Sequence, residues 1–148
     1  MLVDLAHAAP RTFWDAVEAA RRPVIVSHAA TEARGPHPRN LTDDQIRAVA
    51  ATGGIVGVAF YPAYLDPGSG QCGRDAIVEH LLRIMEVAGP DHAALGSDLD
   101  GIPRLPDGFR GAQDFPLVAA DLEARGVTGA ELAGVLGGNW LRMLADDE

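Results

Sequence analysis

Four short apolar segments alternate with helix-like stretches along the chain. They lie at residues 2–6, 23–27, 55–60 and 92–96, and the last of them is the weakest. Their apolar residues run continuously instead of alternating with polar ones, which is typical of strands buried in a parallel sheet. The sequence therefore predicts the order β-α-β-α-β-α-β-α, with right-handed connections between successive strands.

Helix signals fill the segments between these runs. Pro10 suits the first turn of a helix over residues 10–21, and residues 74–88 carry an apolar stripe of helical period. Thr42 is predicted to cap a helix that ends at two glycines. Thr128 has Glu131 three residues later, which is the spacing of a capping box. Further helices are predicted near residues 114–125, 129–136 and 138–145.

Four βα units are about half of a (β/α)8 barrel, a fold that typically takes about 250 residues. A small open α/β sheet is the alternative for a chain of 148 residues. The positions of the polar side chains favour the barrel, because they directly follow predicted strands, as on the catalytic face of a barrel. These strand-end residues are His7, His28, Tyr61, Asp98 and Asp100.

Composition excludes some classes of function. The net charge of −9 argues against a nucleic-acid partner, because neutralising phosphates needs clusters of basic residues. Cys72 is the one cysteine, so neither an intrachain disulfide nor a cysteine-based zinc site is expected, and its polar loop predicts an exposed thiol. Apolar runs are too short for a membrane segment and no basic, apolar leader is visible, so a cytoplasmic location is expected.

Two histidines at the ends of neighbouring strands can reach one divalent metal, because adjacent strands lie about 4.8 Å apart. His7 and His28 fit that arrangement, with Asp98 as a carboxylate for general acid and base chemistry. Each histidine can equally be a core or capping residue, and Asp98 can simply cap a turn. Arg39 lies in a proline-bracketed loop, where its planar fork can clamp a carboxylate or only stiffen the loop.

The remaining histidines are predicted to be structural. His37 shares the loop of Arg39 and is expected at the surface. His80 lies on the long amphipathic helix and His92 opens the fourth strand, so neither is expected to bind metal.

An ordered series of motifs resembles the C-terminal half of the membrane (renal-type) dipeptidase family, whose members are zinc metallopeptidases of the amidohydrolase-like barrel group. The motifs are "VDLAHA", "PVIVSHAA", "HPRNLTDDQIRAVAATGGIVGVAFYP", "IVEHLLRIMEVAGPDHAALGSDLDGI" and "LGGNWLRML". The resemblance implies hydrolysis of dipeptides, some with a C-terminal D-residue, by a metal-activated hydroxide at a two-zinc centre. It implies that His7 and His28 bind one zinc, that Arg39 binds the substrate carboxylate and that Asp98 passes a proton to the leaving amine.

The sequence departs from this family in its first metal site. The His-x-Asp motif and the bridging Glu of the family are absent, as is the substrate-contacting His that precedes "VDLAHA". We therefore expect residues 1–148 to form one partial barrel domain whose N-terminal half is missing. It acts on dipeptides with a complementing N-terminal half or as a homodimer, or it is an inactive half-barrel that self-associates and binds metal weakly at most. An unrelated α/β domain with incidental histidines is the third alternative.

Overall fold

A parallel sheet with helices around it forms the computed structural model, which describes residues 1–145. The order of its main strands is β1-β2-β4-β5, all parallel, and β3 pairs with β2. The predicted parallel α/β architecture is confirmed. The strands are β1 (Val3–Asp4), β2 (Val24–Thr31), β3 (Asn40–Leu41), β4 (Ile55–Ala59) and β5 (Ala93–Ser97).

The helices follow the strands in the predicted alternation, with short 3-10 turns at Glu32–Arg34, Pro90–His92 and Ala112–Asp114. The segment Gly134–Gly138 contains a kink at Gly137, whose backbone is not helical. They are α1 (Pro10–Ala19), α2 (Asp43–Ala51), α3 (Pro62–Leu65), α4 (Asp75–Ala88), α5 (Phe115–Ala124), α6 (Gly129–Ala133) and α7 (Asn139–Ala145). No described helix is long and apolar enough to cross a membrane.

The core has two parts, one on each face of the sheet. Val24 and Val26 belong to the larger cluster, which contains most of the buried side chains of α1, α2, α4 and α5. Ile25 points to the opposite face, as the two-residue period of a strand requires, and joins a small cluster with Ile55 and Ala94. Met143 of α7 is fully buried in that small cluster.

The strands differ from the prediction in three ways: the first is shorter, the second is longer, and an additional short strand is present. The first strand is confined to Val3–Asp4, and the second continues beyond residue 27 as far as Thr31. His28 therefore lies inside β2 and not after it, which corrects the prediction. The strand Asn40–Leu41 was not predicted, because two residues are too few to display a strand period.

The two predicted helix caps had different outcomes. Thr42 caps α2 as predicted: its Oγ1 accepts from the Gln45 amide at 3.2 Å, and Gln45 Oε1 accepts from the Thr42 amide at 3.0 Å. This is a complete capping box. Thr128 precedes α6, but its side chain makes no capping hydrogen bond, so the capping box predicted with Glu131 is wrong.

One end of the sheet is covered by the start of α7. Asn139 Nδ2 donates to the Ala93 carbonyl of β5 at 2.8 Å and to the Pro90 carbonyl at 2.9 Å. Trp140 Nε1 donates to the Leu95 carbonyl of β5 at 2.9 Å. These side chains hydrogen-bond to carbonyls of the end strand of the described sheet, and covering an end strand is a common way to protect a sheet edge.

Candidate metal and carboxylate site

His7 follows β1 in a tight turn. The Ala8 amide donates to the Leu5 carbonyl at 3.0 Å, and His7 itself adopts a φ of 66°, in the left-handed region. Few residues other than glycine take this conformation. The turn leaves the His7 side chain exposed at the carboxyl end of the sheet.

His28 reaches the same place from within β2. The register of β2 against β4 shifts between Val26 and Ala29, which is a β-bulge around Ser27 and His28. Bulges re-aim side chains that regular alternation would send elsewhere. The Nε2 atoms of His7 and His28 lie 2.9 Å apart, with ring centroids at 5.0 Å and an angle of 62° between the rings.

Arg39 lies beside both histidines. Its NH1 atom is 2.6 Å from His7 Nδ1 and 2.9 Å from His7 Nε2, and its NH2 atom donates to the His28 carbonyl at 3.2 Å. NH1 also donates to the Tyr64 hydroxyl at 3.4 Å, and the guanidinium lies 5.3 Å from the centre of the Tyr64 ring. Arg39, which the sequence predicts either to bind a carboxylate or to stiffen its loop, thus lies beside both histidines.

The loop around Arg39 is more ordered than the sequence indicates. His37 Nδ1 accepts from the Arg39 amide at 3.1 Å, and the His37 ring packs on Tyr64 with centroids 4.7 Å apart. His37 is therefore partly buried, not simply at the surface as predicted. Asn40 Nδ2 donates to the Tyr64 carbonyl at 2.9 Å, which joins the loop to α3.

Asp98 lies at the end of β5, in a strained turn. Ser97 and Asp98 have φ values of 37° and 64°. A side chain at Gly101 has no room, because its Cβ would lie 2.2 Å from Asp98 Oδ1, so the glycine lets the turn fold over the carboxylate.

Partial desolvation, Arg39 and His28 lower the pKa of His7, while the Asp98 carboxylate opposes that shift.

Asp4 and Ser27 surround the histidines and were not predicted as site residues. Asp4 Oδ1 accepts from the Ala6 and Ser27 amides, both at 3.0 Å. Ser27 Oγ lies 2.8 Å from His28 Nδ1. Burial alone raises the pKa of Asp4, but hydrogen bonds from the Ser27 side chain and the two amides outweigh it, so this pKa lies below its usual value.

The donor set fits part of a zinc site. Two imidazole nitrogens bound to one tetrahedral zinc at about 2.0–2.1 Å lie about 3.3 Å apart. The two Nε2 atoms at 2.9 Å need to separate only slightly to reach that distance. Within residues 1–145, however, no group of three or more His, Cys, Asp or Glu side chains is arranged to hold a metal ion.

The other histidines and the cysteine have different surroundings. His80 is fully buried, where its Nδ1 accepts from the Thr31 amide at 3.0 Å and its Nε2 donates to the Leu65 carbonyl at 2.8 Å. His92 contacts the Gly54 carbonyl at 2.6 Å. These backbone partners fit the structural role that the sequence predicts for both histidines. The Cys72 thiol is half-buried, not exposed, and burial raises its pKa to about 11.

A cavity of about 300 Å³ opens next to His7 and Arg39. Its walls include Phe13 and Leu41 from the main core, together with Trp14, whose side chain remains 44% exposed. Trp14 was predicted as a helix-packing residue. Its contact with Phe13 fits that prediction, although much of its surface faces this opening.

Known proteins match this chain over nearly its whole length. It is 38% identical over 145 residues to an uncharacterized dipeptidase of Schizosaccharomyces pombe, covering 97% of this chain and 35% of that protein. It is 39% identical over 148 residues to an uncharacterized protein of Klebsiella pneumoniae encoded in the pqqA 5′ region, covering 97% and 54% respectively. The chain thus spans between about a third and about half of these curated relatives.

A solved structure also matches nearly the whole chain. A metallo peptidase from Rhodobacter sphaeroides, liganded with a phosphinate mimic of the dipeptide L-Ala-D-Ala, superposes with a TM-score of 0.90 at 28% identity. The match covers 97% of this chain and 41% of that one. The model of the membrane dipeptidase family, peptidase family M19, matches residues 1–148. The chain therefore belongs to the membrane dipeptidase family, a family of metallopeptidases.

Proposed function

We propose that this chain takes part in the hydrolysis of dipeptides at a zinc centre, to which it contributes His7 and His28 as ligands. The observation that carries the proposal is the convergence of the two Nε2 atoms to 2.9 Å with the Arg39 guanidinium beside them. Two neutral imidazoles can hold a metal ion that binds a substrate carbonyl. The neighbouring guanidinium, with two parallel N–H donors, suits a substrate carboxylate. The phosphinate dipeptide mimic bound by the Rhodobacter sphaeroides relative supports this substrate class.

Each residue has a separate task in this proposal. The metal, when bound, polarises the peptide carbonyl and activates water. Arg39 binds the substrate's terminal carboxylate, because its planar guanidinium donates two parallel hydrogen bonds and its aromatic neighbour Tyr64 restricts it. Asp98, in its fixed turn at the end of β5, would accept a proton from the attacking water and pass the same proton to the leaving amine.

The test uses the 148-residue chain in two forms. It is assayed with L-Ala-D-Ala and zinc, alone and after co-expression with the N-terminal segment of a family member that carries His-x-Asp and the bridging Glu. We expect hydrolysis only after complementation, and a loss of at least about 100-fold for Asp98→Asn. Asp44→Asn, which changes an exposed carboxylate on α2, is the matched control. Absence of hydrolysis in the complemented sample contradicts the proposal.

A second candidate is an inactive, self-associating half-barrel that binds metal weakly. It is favoured by the lack of a third metal-ligating side chain near the two histidines in the described part of the chain. Exposed leucines on α7 also favour it, since Leu141 and Leu144 are 68% and 58% exposed. Native mass and zinc stoichiometry separate the two candidates, because an inactive remnant forms oligomers that bind zinc substoichiometrically whether or not the N-terminal segment is supplied.

A further inference from the structure

We infer that Asp4 and Ser27 are positioning residues, which fix the tautomer of His28 and hold it against His7. The inference deepens the proposed function, because it rests on the proposed role of these histidines as metal ligands. It concerns the hydrogen bonds that orient the ligands, and it names two side chains that contact neither substrate nor metal in the proposal.

Asp4 connects the two segments that carry the histidines. Its Oδ1 atom accepts from the Ala6 amide and from the Ser27 amide, each at 3.0 Å. Ala6 immediately precedes His7, and Ser27 immediately precedes His28. Asp4 Oδ1 therefore connects the backbone next to His7 with the backbone next to His28, and this restricts the distance between the two imidazoles.

The backbone at this position needs such a connection. β1 contributes only two residues to the sheet, and the bulge in β2 interrupts regular pairing around Ser27. A bulge leaves a residue outside the hydrogen-bond ladder. The Asp4 side chain supplies the acceptor that the Ser27 amide uses at this interruption.

Ser27 lies between Asp4 and the imidazole of His28, and its hydroxyl contacts both. The Ser27 side chain hydrogen-bonds to the Asp4 carboxylate, and its Oγ lies 2.8 Å from His28 Nδ1. A carboxylate only accepts hydrogen bonds, so the single hydroxyl proton is donated to Asp4. Oγ must then accept from Nδ1–H, which leaves the lone pair of His28 on Nε2.

The contact between the two histidines agrees with this tautomer. Arg39 NH1 lies 2.6 Å from His7 Nδ1 and 2.9 Å from His7 Nε2, so the arginine, which only donates, does not fix which nitrogen of His7 carries the proton. The two Nε2 atoms lie 2.9 Å apart, and a hydrogen bond between them needs one nitrogen to donate and the other to accept. With Nδ1 of His28 protonated, Nε2 of His28 is the acceptor, and this is the atom that faces the proposed metal position.

Partners of this kind affect metal affinity measurably. Replacing a group that orients a ligating histidine typically costs 10–100-fold in metal affinity. The preferred tautomer is itself a property of the metal-free chain, so it can be observed independently of metal binding and of catalysis.

The experiment is ¹⁵N imidazole NMR of the metal-free 148-residue chain at neutral pH, followed by titration with zinc. The variants are Ser27→Ala, Ser27→Thr and Asp4→Asn, with the surface changes Ser69→Ala and Asp44→Asn as matched controls. We expect His28 to be protonated on Nδ1 in the parent chain. Ser27→Ala and Asp4→Asn should lower that population and weaken zinc binding about 10–100-fold. Ser27→Thr, which keeps the hydroxyl, should restore both.

The outcomes separate this inference from the proposed function. If the parent chain shows His28 protonated on Nε2, or if Ser27→Ala keeps the parent tautomer and zinc affinity, the inference is overturned. If the parent chain has the expected tautomer, lost in Ser27→Ala, but no zinc binds to either histidine, the positioning role stands and the metal role fails. Backbone amide spectra identify a variant that does not fold, in which case Asp4→Asn and Ser27→Thr decide.

Discussion

Backbone strain in this protein is concentrated at individual residues of the site. Among residues 1–145, the non-glycine positions with positive φ are His7, Ser97 and Asp98. Such conformations cost of order 1–3 kcal/mol each and persist only where their surroundings enforce them. Two of these residues are the proposed metal ligand and the proposed proton donor. The strained residues thus lie at the carboxyl end of the sheet, where the sequence analysis also placed the polar residues that follow the strands.

The buried His80 makes stability depend on pH. Desolvation is the main cause that lowers its pKa below 6.5, assisted by Arg34 and opposed by the hydrogen bond to Leu65 and by Glu79. Because the pKa is lower in the folded state, the stability that neutral His80 contributes is present above about pH 6.5. It is lost as the pH falls from there through the folded-state pKa.

Urea denaturation at pH 7.5 and at pH 5 measures this effect. We expect the free energy of unfolding of the parent chain to fall more between these pH values than that of His80→Phe. His80→Phe should be less stable at pH 7.5 by about 1–3 kcal/mol, because it leaves the Thr31 amide and the Leu65 carbonyl without a partner. An equal pH dependence in both proteins contradicts the assignment.

Arg39→Lys tests the carboxylate clamp. Lysine keeps the charge but lacks the planar fork and the second donor that reaches the His28 carbonyl. In the complemented enzyme we expect kcat/KM for a dipeptide to fall about 10–100-fold. Hydrolysis of the corresponding dipeptide amide, which has no terminal carboxylate, should change little. Arg47→Lys, on the exposed face of α2, serves as the control, and equal losses on both substrates would exclude a clamp.

Residues of the candidate site could be predicted only where their position directly after a strand or within a loop is visible in the sequence. His7, Arg39 and Asp98 follow strands or lie in loops, and that pattern is visible in the chain. The contacts of Asp4, Ser27 and Tyr64 depend on neighbouring segments, so no local period indicates them. The single available signal was the serine directly before His28, whose hydroxyl can reach the ring.

At the scale of elements, type and order were predictable and boundaries were not. Apolar runs and helical stripes identified the main strands and helices. The extension of β2 to Thr31 was missed because its last residues, from Ser27 onward, are small or polar, and their burial comes from packing against β4 and α4. The bulge that turns His28 toward His7 arises from the same inter-strand pairing.

The two threonines before α2 and α6 provide a matched pair of capping variants. Thr42 has both hydrogen bonds of a capping box, whereas Thr128 has no side-chain capping bond. Thr42→Ala should therefore destabilise the protein by about 1 kcal/mol, and Thr128→Ala by only a few tenths. Chemical denaturation of both variants under identical conditions checks the difference. Comparable losses would mean that Thr128 acts as a cap in solution.

For the whole molecule, the distribution of exposed leucines predicts self-association. Leu141 and Leu144 lie three residues apart on α7, on one exposed side of a short helix. Contiguous apolar surface of this kind favours contact between copies. We expect the chain to sediment above its monomer mass of 15.5 kDa, and the double variant Leu141→Glu/Leu144→Glu to shift toward it.

A charge change elsewhere controls for net charge in that experiment. Arg11→Glu alters an exposed side chain on α1, far along the chain from α7, and should leave the mass distribution unchanged. If the leucine variant retains the mass of the parent chain, α7 is not the contact surface.

The cover over β5 has a kinetic consequence for any partner that completes the sheet. A strand that pairs with Ala93 or Leu95 of β5 competes with Asn139 and Trp140, whose side chains already donate to these two carbonyls. Complementation is then an exchange reaction, in which the start of α7 must detach before the new pairing forms. Its rate should approach a ceiling set by that detachment as partner concentration rises. Asn139→Ala should raise the ceiling, even though it weakens the isolated chain.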